Sequence, residues 1–271
     1  MFLSEDEALW QAPQRFEPMF AGAFPTVTIG GMPIAALSIG ETVAMMLRAA
    51  RERPRGYRPL YLTSANGEVV SRYHDDPAIA TLFDQADMIN ADGQPLVMAS
   101  RILCDQPLPE RVATTDLFEP MAAAASREGL SFYFFGATEE ENRKAVATVR
   151  ERFPRLRIAG RSHGFLRGEE LARKIEEIDA LAPDILWLAL GVPREQAFVV
   201  AWSSRLRNVG MIKTSGGLFN FLSGTNSRAP RWMQKVGLEW AYRTWLEPRR
   251  LFWRYLVTNP KALVHIIRRS Q

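Results

Sequence analysis

The sequence predicts an α/β protein: a Rossmann-like, open and mostly parallel sheet flanked by helices, with a basic, aromatic helical appendage at the C-terminus. Three observations predict it. Short apolar runs rich in β-formers alternate with segments of helical periodicity, the pattern of parallel strands joined by crossover helices. Helix-start residues fall between those runs where crossovers should begin. Charge is split along the chain. Of 34 basic and 30 acidic residues, ten and two lie from Arg228 onward, which leaves 24 against 28 before it, a tail of +8 behind a core of −4.

Residues 1–24 carry early acids and no sustained apolar run, so they read as an N-terminal arm and not as a secretory signal. The catalytic core is expected over 25–227. Ser38 with Glu41 makes a capping box for its first helix. The strands follow as PLYLTS (59–64), ADMINAD (86–92), LSFYFFGA (130–137), LRIAG (156–160), DILWLALG (184–191) and VGMIKTSGG (209–217). Between them, Thr115 is expected to cap the helix DLFEPMAAAASREG, and Thr138 precedes the acidic first turn EEE. Pro183 and Pro193 bracket the fifth strand, the latter in the first turn of the next helix.

From residue 228 to 271 the chain reads as a membrane-associating helical appendage. Trp232, Trp240, Trp245 and Trp253, four of the seven tryptophans, lie among its arginines. Such rings favour the headgroup boundary of a bilayer, although they also stack on nucleic-acid bases. In RRLFWRYL (249–256), Leu251 with Tyr255 and Phe252 with Leu256 stand at i,i+4 spacing while Arg250 and Arg254 share a neighbouring face. This amphipathic spacing favours an anionic membrane surface over nucleic acid. For any single tryptophan, burial in the core is the ordinary fate.

Several classes of chemistry find no support. A lone Cys104 forms no internal disulfide, and His74, His163 and His265 lack metal-ligand spacing. No metal site and no cofactor are expected, since His-Glu-x-x-His, Walker, nucleophile-elbow and Gly-x-Gly-x-x-Gly sequences are missing. No apolar stretch approaches the roughly 20 residues of a membrane span, so membrane association should be peripheral.

In open parallel sheets ligands sit beyond the carboxyl ends of the strands. The residues there are Ser64 and Asn66; Asn90, Asp92 and Gly93; Glu195 and Gln196 after Pro193; and Ser215, Gly216 and Gly217. Glycines let a ligand approach the backbone and helix N-termini offer N–H groups, which together suggest a nucleotide or sugar-phosphate ligand.

These residues also carry a resemblance. SAN (64–66), NADG (90–93), Arg111 with Asp116, LGVP (190–193), GGLFNFLSG (216–224), RAPRWM (228–233), GLEWAYR (237–243) and EPRR (247–250) resemble the bacterial WecG/TagA/CpsF glycosyltransferases from about residue 60 to 255. The resemblance implies an inverting, metal-independent enzyme that moves a sugar from a UDP donor to a polyprenyl-diphosphate-linked sugar acceptor. It also implies work at the cytoplasmic face of the inner membrane, with the appendage meeting lipid and helping to complete the active site. Three departures stand out. Glu195-Gln196 exchanges the usual Gln-Glu, Asn220 replaces an Asp, and Thr114 replaces a Gly.

Inverting transfer needs a base for the acceptor hydroxyl while the bond to diphosphate breaks. Asp92, between an apolar strand and Gly93 and at the family's base position, is the candidate; its bland alternative is a helix cap. Without an Asp-x-Asp motif, guanidinium groups must offset the leaving charge, and Arg111, Arg228, Arg243 and Arg250 are candidates. Ser64 and Asn66 would orient sugar hydroxyls. A nucleic-acid-binding protein and a catalytically idle UDP-sugar-binding scaffold remain the rival readings.

Overall fold

The computed structural model describes residues 24–246 and 248–271, with the backbone alone at Arg231, Lys235, Arg243, Arg250, Leu251 and Arg254. The arm expected over 1–24 therefore lies outside the described residues, Phe24 excepted. The described chain opens with a hairpin that the sequence reading did not include, β1 (Thr26–Ile29) against antiparallel β2 (Met32–Ala35). Gly30 and Gly31 turn it with φ of 55° and 77°, as the two central residues of a twist-matched hairpin turn require. A Cβ on Gly30 would stand 2.6 Å from Val70 Cγ1, so the close approach of the next layer also demands glycine there.

Every apolar run named above forms a strand: β3 (Leu60–Ala65), β4 (Met88–Ala91), β5 (Ser131–Gly136), β6 (Arg157–Ser162), β7 (Ile185–Ala189) and β8 (Met211–Thr214). They build one six-stranded sheet in the order β4-β3-β8-β7-β5-β6, with every pairing parallel. Crossovers supply α1 (Ile39–Glu52), α2 (Gly67–Asp75), α3 (Pro77–Phe83), α4 (Gln94–Leu103), α5 (Thr114–Glu128), α6 (Glu139–Arg152), α7 (Gly168–Leu181) and α8 (Arg194–Trp202). After β8 a short α9 spans Leu218–Leu222.

Strand alternation divides the core between the two faces of the sheet. Phe132, Phe134, Trp187 and Met211 meet Phe118 and Phe219 on one face, with Phe118 edge-on to Trp187 at 5.0 Å. Tyr133, Phe135, Leu186, Leu188 and Ile212 meet Phe198 and Ile175 on the other. Lys213 occupies a position on the first face, paired in register with Leu62 and Trp187. It is fully buried there.

Both capping boxes form, at Ser38 with Glu41 and at Thr138 with Glu141. Thr115 does not cap: α5 starts at Thr114, and Ala113 occupies the N-cap with no side-chain bond. Pro193 sits at the N-cap of α8, one position before the first turn.

The tail forms α10 (Arg231–Lys235), α11 (Glu239–Leu246) and α12 (Pro248–Arg268). α12 lies along α2 and buries Ala262 and Ile266, i,i+4 neighbours, the latter in the apolar cluster under the hairpin. Beyond it, Gly31 N–H donates to Arg269 O at 2.8 Å and Gln271 N–H to Thr28 O at 3.0 Å. Core burial of the tail's tryptophans is not what occurs. Trp232, Trp240, Trp245 and Trp253 are 40% to 76% exposed. Among the described residues no helix is long and apolar enough to cross a membrane.

A histidine pair joins α12 to α2. His74 and His265 stack with ring centroids 4.1 Å apart. His74 Nε2 is 2.7 Å from Gly30 O and its Nδ1 is 3.2 Å from Arg269 Nη1. A carbonyl only accepts, so the Nε2–H of His74 donates to Gly30 O. Burial, with His74 and Arg269 nearby, draws the pKa of His265 below its ordinary 6.5. A base depressed in the folded state contributes stability above its unfolded value and loses it as pH falls through the folded one. The protection of α12 amides, taken relative to their intrinsic exchange rate at each pH, should therefore fall as pH drops below about 6.5 in the wild type, and less in His265→Phe. Equal pH dependence in the two proteins would exclude the pair as its origin.

Candidate active site

A cleft of about 1070 Å³ opens over the carboxyl ends of β3, β4, β7 and β8. Nine of the residues proposed from sequence line it: Ser64, Asn66, Asp92, Gly93, Arg111, Glu195, Ser215, Gly216 and Gly217. Strand ends deliver most of them, which is why residues far apart in the chain meet.

Asp92 leaves β4 with its N–H bonded to Ala65 O at 2.9 Å, which ties the turn to β3. Gly93, not Asp92, is the N-cap of α4, so the cap position expected for Asp92 falls one residue later, on a residue without a side chain. A Cβ on Gly93 would meet Asn66 Cα and Cβ at 3.3 Å, so glycine lets the two turns close together. Asn66 does cap: its Oδ1 accepts from Val69 N at 3.1 Å, and the residue lines the cleft.

Glu195 is buried at the start of α8, and its Oε2 accepts the Gly216 N–H at 3.0 Å. That amide of the glycine-rich turn is thus already engaged. Burial pushes the Glu195 carboxyl above its ordinary range, against the pull of the Gly216 amide and of Lys213. Gln196 lies beneath the cleft and does not line it; its Nε2 donates to Thr63 Oγ1 at 3.2 Å. Asn90 is likewise fully buried beside Ser64 in register, away from the opening.

Behind the cleft two arginines share one carboxylate. Arg111 Nη2 and Arg228 Nη1 each lie 2.6 Å from an oxygen of Asp116, and both guanidiniums also donate to Gln234 Oε1. Arg111 further bonds Glu239 at 2.8 Å, which fastens α11 to the core. Burial alone would raise the Asp116 pKa, but Arg228 and Arg111 outweigh it and hold the carboxyl below its ordinary value. Arg111 reaches the cleft, whereas Arg228 stands one step behind it. The side chains of Arg243 and Arg250 lie outside the described residues.

With this geometry in place, the comparison with known proteins is decisive. The sequence model of the family described as "Glycosyl transferase WecG/TagA/CpsF family" matches residues 27–271. The chain belongs to that family. Among its relatives is an N-acetylglucosaminyldiphosphoundecaprenol N-acetyl-beta-D-mannosaminyltransferase of Bacillus spizizenii, 29% identical over 212 residues, covering 78% of this chain and 80% of the relative. Proteins of the same description from Bacillus subtilis and Staphylococcus aureus are each 28% identical, covering 78% and 71% of this chain and 83% and 74% of their own.

The site of this WecG/TagA/CpsF glycosyl transferase contains residues that sequence reasoning passed over. Lys213 Nζ donates to Ser64 Oγ at 2.9 Å, to Thr214 O at 2.9 Å and to Thr114 Oγ1 at 3.4 Å. Burial lowers its pKa to about 8, even with Asp92 and Glu195 opposing the fall. The available signal was a lysine at a core-facing position of an apolar strand. Trp240 and Tyr255, rings 5.9 Å apart, line the cleft from α11 and α12, with Asn259 and Leu263 beyond them. The departures from the family pattern, Thr114, Glu195 and Asn220, all line the cleft; Asn220 Nδ2 donates to Glu141 Oε1 at 2.6 Å.

Proposed function

We propose that this glycosyl transferase moves a sugar from a UDP donor to a saccharide carried on polyprenyl diphosphate. It acts as an inverting, metal-independent enzyme, bound peripherally at the cytoplasmic face of the inner membrane. One observation carries the reading: a cleft with Asp92 on its floor has α11 and α12 as a wall, and the outer side of that wall is apolar. Phe252, Trp253, Leu256, Val257, Val264 and Ile267 are exposed there, while Tyr255 and Leu263 of the same helix reach the cleft. An exposed apolar stripe of this kind fits the acyl boundary of a bilayer. A lipid-linked acceptor would keep its chain in the membrane and pass its diphosphate saccharide into the cleft. The acceptor named in the relatives' descriptions, a diphosphoundecaprenol sugar, is of this type.

The chemistry follows from the floor and the arginines. The acceptor hydroxyl oxygen attacks the anomeric carbon as its proton passes to the Asp92 carboxylate. The carbon–oxygen bond to the β-phosphate breaks, and its electron pair leaves on UDP. Attack opposite the leaving group inverts the anomeric centre in this single displacement. A carboxylate is far less basic than an alkoxide and takes the proton only as the hydroxyl acidifies in the transition state, so its position matters more than its basicity. Arg111 at the cleft, backed by Arg228 through Asp116, offsets charge on the departing diphosphate, with Arg243 and Arg250 as further candidates from the tail. Ser64 and Asn66 orient substrate oxygens.

The test is a donor screen with UDP-glucose, UDP-glucuronate and UDP-N-acetylmannosamine, a short-chain polyprenyl-diphosphate saccharide and a chelator, reading released UDP. We expect one donor to release UDP only when the acceptor is present. Release that stops in chelator and returns with magnesium would overturn metal independence. No acceptor-dependent release from any donor would overturn the transfer itself.

A further inference from the structure

We propose that Lys213 is a positioning residue that turns the Ser64–Thr114 hydroxyl pair into a hydrogen-bond donor for an anionic oxygen of the substrate. The inference rests on the glycosyl-transfer reading of this cleft and names what its floor recognises. An ammonium has three donors and no acceptor. All three are directed, to Ser64 Oγ at 2.9 Å, Thr114 Oγ1 at 3.4 Å and Thr214 O at 2.9 Å. Both hydroxyls must therefore accept from Lys213. The two oxygens are also 3.3 Å from each other, so one hydroxyl proton closes that contact. The second proton has no described acceptor among the described residues, and both side chains line the cleft. The floor thus offers an O–H donor above a buried cation, a pairing that favours a phosphate or carboxylate oxygen over a neutral hydroxyl.

Lys213 is screened from water, so the arrangement depends on the ammonium staying charged. Asp92 faces it from the end of β4 and Glu195 from α8, with Ser64, Thr114 and Thr214 completing its surroundings. Burial brings its pKa to about 8. Above that pH a neutral amine gains a lone pair, can accept the spare hydroxyl proton, and withdraws the donor from the cleft. Binding of the anionic group should weaken as pH rises through that value.

Two sources of the anionic oxygen are separable: the diphosphate, common to all UDP ligands, and a carboxylate on the sugar. The experiment measures binding of UDP, UDP-glucose and UDP-glucuronate by calorimetry, across pH, for the wild type, Lys213→Met and Thr114→Val, together with kcat and KM for the active donor. Loss of one charge-assisted bond should raise Kd and KM about 10- to 100-fold with much less change in kcat, and flatten the alkaline rise in Kd. Equal losses for all three ligands assign the diphosphate; a loss confined to UDP-glucuronate assigns the carboxylate. If Lys213→Met does not fold, as judged by thermal unfolding, the near-isosteric Thr114→Val carries the same test. A wild type that binds these ligands, with neither substitution changing affinity or pH profile, overturns this inference alone. A wild type that binds none of them removes the transfer reading and this inference with it.

Discussion

Replacing Trp253 and Leu256 together by aspartate is expected to abolish binding to anionic vesicles while leaving the α/β core folded. Both residues stand on the outer face of α12, 69% and 53% exposed, so neither contributes much to the packing that holds the helix. That packing comes from Ala262 and Ile266 on the inner face and from the backbone bonds that tie Arg269 and Gln271 to the hairpin. Inserting such side chains into a bilayer boundary is worth ~1.5–3 kcal/mol each, before the cost of the new charges. Each substitution should thus weaken partitioning by about 10- to 100-fold. Turnover of a water-soluble acceptor analogue should be nearly retained, since neither side chain lines the cleft. Turnover of a membrane-embedded acceptor should fall with binding. Co-sedimentation checks the first effect, and wild-type binding by the double variant would remove this face as the membrane contact. Tight oligonucleotide binding by the wild type, with a steep salt slope, would instead assign the tail's charge to nucleic acid.

Much of this architecture is legible from local pattern, and the parts that are not have physical causes. Most of the six apolar runs announce their strands because they are buried on both faces of a parallel sheet and so read as nearly continuous hydrophobic sequence; the edge strand β6 is only partly buried and reads from the short run LRIAG. The hairpin of β1 and β2 escapes that test, since four-residue strands with one half-exposed face carry little signal; the Gly30-Gly31 pair was its one readable mark. Strand order is not written locally at all. Only the structure sets β8 between β3 and β7, and that placement brings Lys213 beneath Ser64. Ser64, Asn66, Asp92 and Glu195 could be nominated because strand ends converge in this type of sheet. Asn90 lies two residues deeper along β4 than Asp92, and Gln196 is turned about 100° around α8 from Glu195, so both fall below the opening. For Arg228, sequence gave a cation after a glycine-rich turn, but its engagement with Asp116 across 112 positions needed the fold.

Asp92 is the group proposed to take the acceptor proton, and Asp92→Asn tests this most directly. Asparagine keeps the shape of the side chain, the bond from residue 92 N–H to Ala65 O and Gly93 as the N-cap of α4, so the cleft should survive the change. What it loses is a base and a charge. Removing the charge also takes away support for the ammonium of Lys213, whose pKa Asp92 helps to hold up. The alkaline weakening of ligand binding should then begin at lower pH than in the wild type. The measurement is the single-turnover rate of sugar transfer with saturating donor and acceptor, beside the Kd for UDP at neutral pH. The predicted result is a rate lowered by about 10²–10⁴-fold with UDP affinity nearly unchanged. A wild-type transfer rate in Asp92→Asn would contradict it and leave the reaction without its proposed base.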